Sequence, residues 1–234
     1  MEVANSEELI LFLLKTMKAK HIDDTMKKGR FCFCYPSVFN KWEKPDSAQY
    51  DRWDAHSAHN ATHLVYAPIV GERNGLPVYG KVQKLADKAI VRVQTEEVRC
   101  SPICCFRMVE EHEVKCLYGG IDFSLGENAS RIISEFGHDA YIMVEAKPFL
   151  DRLQEMHTCF AGPVVYKDTT NDHEFDVPDQ YKDLVEQLFR KDERFLWQKE
   201  YRIVLPPCKE SPFFVELGSI EDIAIRGMLS DLQN

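Results

Sequence analysis

Phe195-Leu-Trp-Gln-Lys-Glu-Tyr-Arg-Ile-Val-Leu-Pro-Pro207 is the stretch from which the fold is read. A charged helical run ends before it. Tyr201, Ile203 and Leu205 then alternate with Glu200, Arg202 and Val204 in the two-residue period of a half-buried strand. In that register Gln198, Glu200 and Arg202 share one sheet face, whereas a helix would separate Gln198 from Glu200 by roughly 200°. An amide and a carboxylate side by side on a strand are the beginning of a site.

Outward from this strand, the pattern predicts strands at 62–70, 88–94, 101–109, 139–145 and 162–167, with closing strands at 213–217 and 222–226. Helices are expected at 127–137, from Pro148, and at 179–190, where Thr169 to Pro178 reads as an acidic loop before the last of them. Asn74-Gly75 is a hairpin signal. Towards the N-terminus, Ser6 is a candidate N-cap for an amphipathic segment through Leu9, Ile10, Leu13 and Leu14, whose end at 13–17 reads equally as a short strand. His21 to Gly29 reads as a short helix closed by a glycine. Arg30 to Pro36 reads as a strand with Phe31, Phe33 and Tyr35 on one face and Cys32 and Cys34 on the other. The stretch from Phe39 to Asn60 reads as a loop with a short helix around 51–58. Strands and short helices without a regular βαβα alternation predict an α+β chain, a single domain over 1–234, with mixed, largely antiparallel sheets.

Apolar residues at 44% and charged residues at 29% are those of a globular chain, and 234 residues suffice for a sizeable core. A net charge of −9 disfavours generic binding to a nucleic-acid backbone. The acidic start lacks the basic region of a secretory signal, and the longest apolar run, Leu9 to Leu14, is far short of the ~20 residues that cross a bilayer. The expectation is a cytoplasmic protein with no membrane contact, in which eight cysteines are reduced thiols and not a disulfide framework. No Rossmann or Walker glycine-rich loop is present.

Leu188-Phe-Arg-Lys-Asp-Glu-Arg-Phe-Leu-Trp-Gln-Lys-Glu-Tyr-Arg-Ile203 resembles a family of uncharacterised bacterial proteins, many found near phage-defence genes, in which Phe or Trp precedes Gln/Glu-x-Glu-Tyr-Arg. Gln198-x-Glu200, followed by an aliphatic strand ending in proline, also resembles the Gln/Glu-x-Glu element of mono-ADP-ribosyltransferases. The order strand, short helix, glycine, strand over 13–36 is similar to the opening of that fold, whose first strand carries an Arg or His that grips NAD. Lys15 stands at that place here, and Ser101 and Cys104-Cys105 stand where those enzymes carry a Ser-Thr-Ser pattern.

The resemblance implies an ADP-ribosyltransferase-like fold and an NAD-dependent ADP-ribosyltransferase or NAD glycohydrolase, acting as a phage-defence or toxin effector. Its partners would be NAD as substrate, a protein or nucleic-acid acceptor, and a cognate regulator or antitoxin. Glu200 would stabilise the positive charge that develops on the ribose when the nicotinamide bond breaks, and Gln198 would orient the acceptor. Lys15 or Arg30 would meet a phosphate, and Tyr118 and Tyr141, with Tyr166, would stack on the nicotinamide.

Each assignment has a plainer counterpart. Glu200 and Arg202 on one strand face can form a structural ion pair in a catalytically silent nucleotide- or protein-binding module. Burial separates the two: a carboxylate open to a cleft favours an enzyme, one locked against Arg202 and closed off favours a scaffold. Lys15 and Arg30 can be solvated, and strand tyrosines commonly just pack. His56, His59 and His63 would share a helix face and suggest a metal-dependent hydrolase if they converged, whereas exposed polar histidines are the simpler reading. Cys100, Cys104, Cys105, His112 and Cys116 lack zinc-site spacing and read as small core residues, with Cys105 as a candidate thiolate.

Overall fold

Strand β1 (Phe12–Met17) carries buried Leu13 and Leu14 in succession, and neighbouring strand residues point to opposite sides, so both of its faces must be covered. The computed structural model, which describes residues 12–39, 55, 57–73, 75–110, 113–117, 120–167, 186–209 and 211–233, meets that demand with a core on each side of one sheet.

After a 3-10 turn at Ala19–His21, helix α1 (Ile22–Lys28) ends at Gly29, whose φ of 57° is left-handed. A Cβ there would lie 2.5 Å from the Gly218 carbonyl oxygen, so glycine is required twice over. Strand β2 (Arg30–Phe33) follows with Phe31 and Phe33 buried and Cys32 exposed, as the alternation predicts, and leads into α2 (Pro36–Phe39). Strands β3 (Ser57–Tyr66), β4 (Ile69–Arg73), β5 (Leu76–Tyr79) and β6 (Gln83–Val93) form two ribbons, β3 with β6 and β4 with β5. The β4–β5 hairpin closes at the predicted Asn-Gly position, where Arg73 pairs with Leu76 and Gly75 has φ 76°. Residues 57–60 are strand, where a loop and helix were expected. The rest of that predicted loop and helix, residues 40–54 and 56, lies outside the described residues.

Helix α3 (Glu96–Arg99), capped by Thr95, precedes β7 (Ile103–Val109), the β8 (Val114–Leu117)–β9 (Gly120–Phe123) hairpin and α4 (Glu127–Phe136). Then come β10 (Ala140–Glu145), α5 (Ala146–Met156), β11 (Phe160–Pro163), β12 (Val165–Lys167), β13 (Arg190–Asp192), β14 (Glu200–Val204), β15 (Phe213–Glu216) and β16 (Ala224–Met228).

The main sheet has the order β11-β14-β7-β1-β10-β16, antiparallel throughout, and the short β12–β13 pair is parallel. The chain is thus α+β with mostly antiparallel sheets and short helices, and among the described residues no helix is long and apolar enough to cross a membrane. One face of the sheet, with Leu13, Phe106, Ile142, Val144 and Ile203, packs on α1, α5, β2 and β15. The opposite face, with Leu14, Tyr141 and Met143, packs on α4 and on the 3-10 turn Leu229–Leu232. Three aromatic rings lock the first core: Phe31, Phe106 and Phe149 stand 5.1–5.7 Å apart, mutually tilted.

Three expectations differ from the structure. Strand β14 is buried along its whole length, not half-buried, because segment 186–192 lies over its polar face. Gln198 is not on that strand. It ends a 3-10 helix, Glu193–Gln198, and Lys199 at φ 46° turns the chain into the strand. The expected helix at 179–190 is helical over 186–188 only among its described residues, with Arg190 already in a strand.

Candidate functional site

Strand β1 pairs with β10 over its full length but with β7 only from Phe12 to Leu14. Beyond Leu14 and Arg107 the two strands part, while β7 stays paired with β14 through Ile103. The gap between Lys15–Met17 and Ile103–Phe106 is a cavity of about 370 Å³, and Gln198, Glu200, Lys191, Trp197 and His138 reach its wall. Lys15 crosses the split: its Nζ donates to the Cys105 carbonyl at 2.7 Å and lies 5.4 Å from the Phe106 ring centre. An ammonium thereby satisfies a backbone acceptor that the lost strand pairing would otherwise strand.

The polar wall centres on Glu200, which is 4% exposed. Arg202, fully enclosed at 0%, donates from Nε to Glu200 Oε1 at 2.5 Å and from Nη1 to the Leu188 carbonyl at 2.6 Å. Lys191 Nζ donates to Glu200 Oε2 at 2.7 Å and to Gln198 Oε1 at 2.8 Å. The Tyr166 hydroxyl accepts the Glu200 backbone N–H at 2.8 Å. Burial by itself raises the Glu200 carboxyl, but the Arg202 guanidinium and the Lys191 ammonium outweigh it and hold the group well below the usual carboxylate range. The site therefore presents a permanent carboxylate beside two cations. Burial, and then the Glu200 charge, push the Tyr166 phenol up to about 12.

The other end of the cavity is aromatic. Phe136 stacks on His138 with ring centres 5.8 Å apart and approaches Trp197 at 6.0 Å, and Arg131 covers Trp197 at 3.9 Å. Thr16 Oγ1 and His138 Nδ1 are hydrogen-bonded at 2.8 Å. Burial, with Lys15 nearby, lowers the His138 pKa to about 4, so at neutral pH this wall carries a neutral imidazole. Burial likewise pushes the Cys105 thiol well up, with Glu200 adding to the effect, which argues against Cys105 as a thiolate nucleophile.

Of the residues singled out in the sequence, Lys15, Gln198 and Glu200 meet on this one cavity. Arg30 lies elsewhere: it stacks on Phe214 at 4.4 Å and faces Asp24 and Glu216 at 3.5 and 3.6 Å. Tyr141 is in the second core, edge-on to Phe123 at 5.3 Å, which is the packing alternative and not a stacking platform. Tyr118 lies outside the described residues. His56 does too, and His59 and His63 fall in strand β3, so the helical face that would align three histidines is not formed. Among the described residues no group of three or more His, Cys, Asp and Glu is placed to hold a metal. Sequence reading missed Lys191, His138 and Thr16. Lys191 sat inside a run read as helix, and Thr16 and His138 are far apart in the chain, joined only because β1 pairs with β10.

No family model matches the chain, and neither the curated proteins nor the solved structures include a match.

Proposed function

We propose that the split-sheet cavity binds NAD, in an ADP-ribosyltransferase-like fold, and that the Gln198–Glu200 wall faces the ribose that carries the nicotinamide. One observation carries this reading: Lys15, Gln198 and Glu200, chosen from opposite ends of the sequence, line a single cavity of about 370 Å³. Its size falls in the small-molecule range of roughly 300–1,000 Å³ and suits one half of a dinucleotide. The aromatic end offers a planar surface, Lys15 offers positive charge, and the permanent carboxylate of Glu200 is suited to the cationic ribose that forms when the nicotinamide C–N bond breaks. Water or an acceptor nucleophile would then capture the ribose, giving hydrolysis or ADP-ribosyl transfer.

A second reading, a binding module without catalysis, is favoured by a specific feature: both Glu200 oxygens already accept hydrogen bonds, from Arg202 and Lys191. In that case Glu200 holds Lys191 at the wall and does no chemistry.

The test is thermal stability of the full chain with NAD, ADP-ribose or nicotinamide, together with nicotinamide release over time. NAD at 100 times its Kd adds about 2.7 kcal/mol, which for a chain of this size raises Tm by roughly 5–10 °C. Gln198→Ala is the informative variant, because Glu200→Gln strips the partner from two cations and is expected to unfold the site. Stabilisation with nicotinamide release that Gln198→Ala weakens supports the enzyme, and stabilisation without release supports the binding module. No shift with any of the three ligands and no release overturns the enzyme and any module that binds NAD or its parts.

A further inference from the structure

Cys32 and Cys34 stand two apart where β2 meets the cavity, and both side chains line it. Their Sγ atoms are 3.7 Å apart. The Cys34 backbone is pinned to the first residue of β7 by two hydrogen bonds, Cys34 N to Ile103 O at 3.0 Å and Ile103 N to Cys34 O at 2.8 Å. The pair is thus fixed on the wall and not on a loose terminus, and Cys32 is exposed.

We propose that Cys32 and Cys34 are a peroxide-sensitive thiol pair, in which Cys32 is oxidised first and Cys34 resolves it to a disulfide on the cavity wall. The Cys32 sulfur attacks one peroxide oxygen: an S–O bond forms, the O–O bond breaks, and the second oxygen leaves and is protonated to water. Cys34 then attacks the sulfenic sulfur: the S–S bond forms, the S–O bond breaks, and the oxygen leaves as a second water. Two thiols lose two electrons and two protons to one hydrogen peroxide. An added dithiol reverses the change by exchange.

Three features support the order of events. Cys32 is exposed and Cys34 less so. The hydrogen bond from Cys34, helped by the charges of Lys15 and Arg30, lowers the Cys32 pKa to about 7 against the burial that opposes it, whereas the same bond raises Cys34. A larger share of Cys32 is then thiolate at neutral pH than of an ordinary cysteine. The titratable and charged groups around Cys32 are Cys34, Lys15, Arg30 and Cys104, with the Arg30 charge shared by Asp24 and Glu216. Burial raises Cys104, Cys105 and Cys159, which removes them as competitors. The attacking sulfur must also move from 3.7 Å to a bonding distance of about 2.05 Å. Two residues flanking a single strand position do this by local twisting of β2, whose partner β15 is only four residues long. The inference is independent of what the cavity binds.

The experiment treats reduced full-length protein with hydrogen peroxide, then blocks free thiols, digests with trypsin and reads each cysteine peptide by mass. Cys32 and Cys34 lie on one peptide, Phe31 to Lys41. The expected product is that peptide short of two hydrogens and unblocked, restored by dithiothreitol. Cys34→Ser is expected to leave a sulfenic acid at Cys32 that dimedone traps. Cys32→Ser is expected to slow peroxide consumption at least about threefold, the thiolate advantage being partly offset by lower nucleophilicity. Monitoring tryptophan fluorescence confirms that each variant is folded. Oxidation appearing first at Cys100 or Cys208, or dimedone labelling of Cys32 unchanged between wild type and Cys34→Ser, overturns the proposal.

Discussion

The two halves of strand β1 have opposite fates. Phe12 to Leu14 are paired on both sides, to β10 and to β7, and Leu13 and Leu14 are fully buried in two separate cores. Lys15 to Met17 are paired to β10 alone, and their other edge lines the cavity with an ammonium and a hydroxyl. Where pairing stops, backbone groups lose their partners, and polar side chains supply them: Lys15 reaches the Cys105 carbonyl. A pocket in this fold is a place where two strands that begin as neighbours cease to be so. The residues that repair the break are the ones that line the cavity.

The largest effect is expected on the carboxylate side of the split. Removing Arg202 leaves Glu200 charged, buried and facing only Lys191 among the cations bonded to it here. Arg202→Ala is expected to cost about 3–5 kcal/mol in urea denaturation. Replacing Glu200, Arg202 and Lys191 together by Leu, Met and Met removes both cations with their carboxylate and should recover much of that loss. A triple variant as unstable as the single one breaks the view that unpaired charge, and not lost packing, dominates.

A pair of variants separates the two halves of β1. Leu13→Ala opens a void in a dry core, at a cost of about 2–5 kcal/mol, and should leave any NAD-induced rise in Tm intact. Lys15→Met removes one charge-assisted hydrogen bond and should cost less, about 1–2 kcal/mol, but abolish the NAD-induced rise. The reverse pattern, ligand response lost at Leu13 and kept at Lys15, would show that the split is not the ligand site.

The smallest effect is in pH. His138 titrates near 4 when folded and near 6.5 when unfolded, so between those values the unfolded chain binds more protons. Its contribution to stability is complete above about pH 6.5 and is lost as pH falls from there to about 4. Glu200, whose carboxyl is also lowered, adds a loss in the same direction at more acidic pH. His138→Gln is expected to flatten the slope of denaturation midpoint against pH between 6.5 and 4. An unchanged slope assigns that dependence to other groups.

Much of the fold follows from local pattern. The period-2 run at 200–204, the β2 alternation with Phe31 and Phe33 inward, the Asn-Gly hairpin and the glycine that closes α1 each rest on interactions within a few residues, so short-range chemistry decides them. The Gln-x-Glu run also marks Gln198 and Glu200, and Lys15 is marked only by its place in a resemblance. The amino-acid order does not carry the rest. Gln198 reaches the wall from a 3-10 turn because Lys199 turns the chain, and Lys191 arrives because the 186–192 segment folds over β14. The cavity itself exists because β1 leaves β7 after Leu14, and Thr16 meets His138 because β10 runs alongside. Those are facts of strand pairing between segments about 90 residues or more apart. Backbone hydrogen bonds are identical for every side chain, so where such pairing begins and ends is decided by the packing of the two cores, not by any motif in the strands.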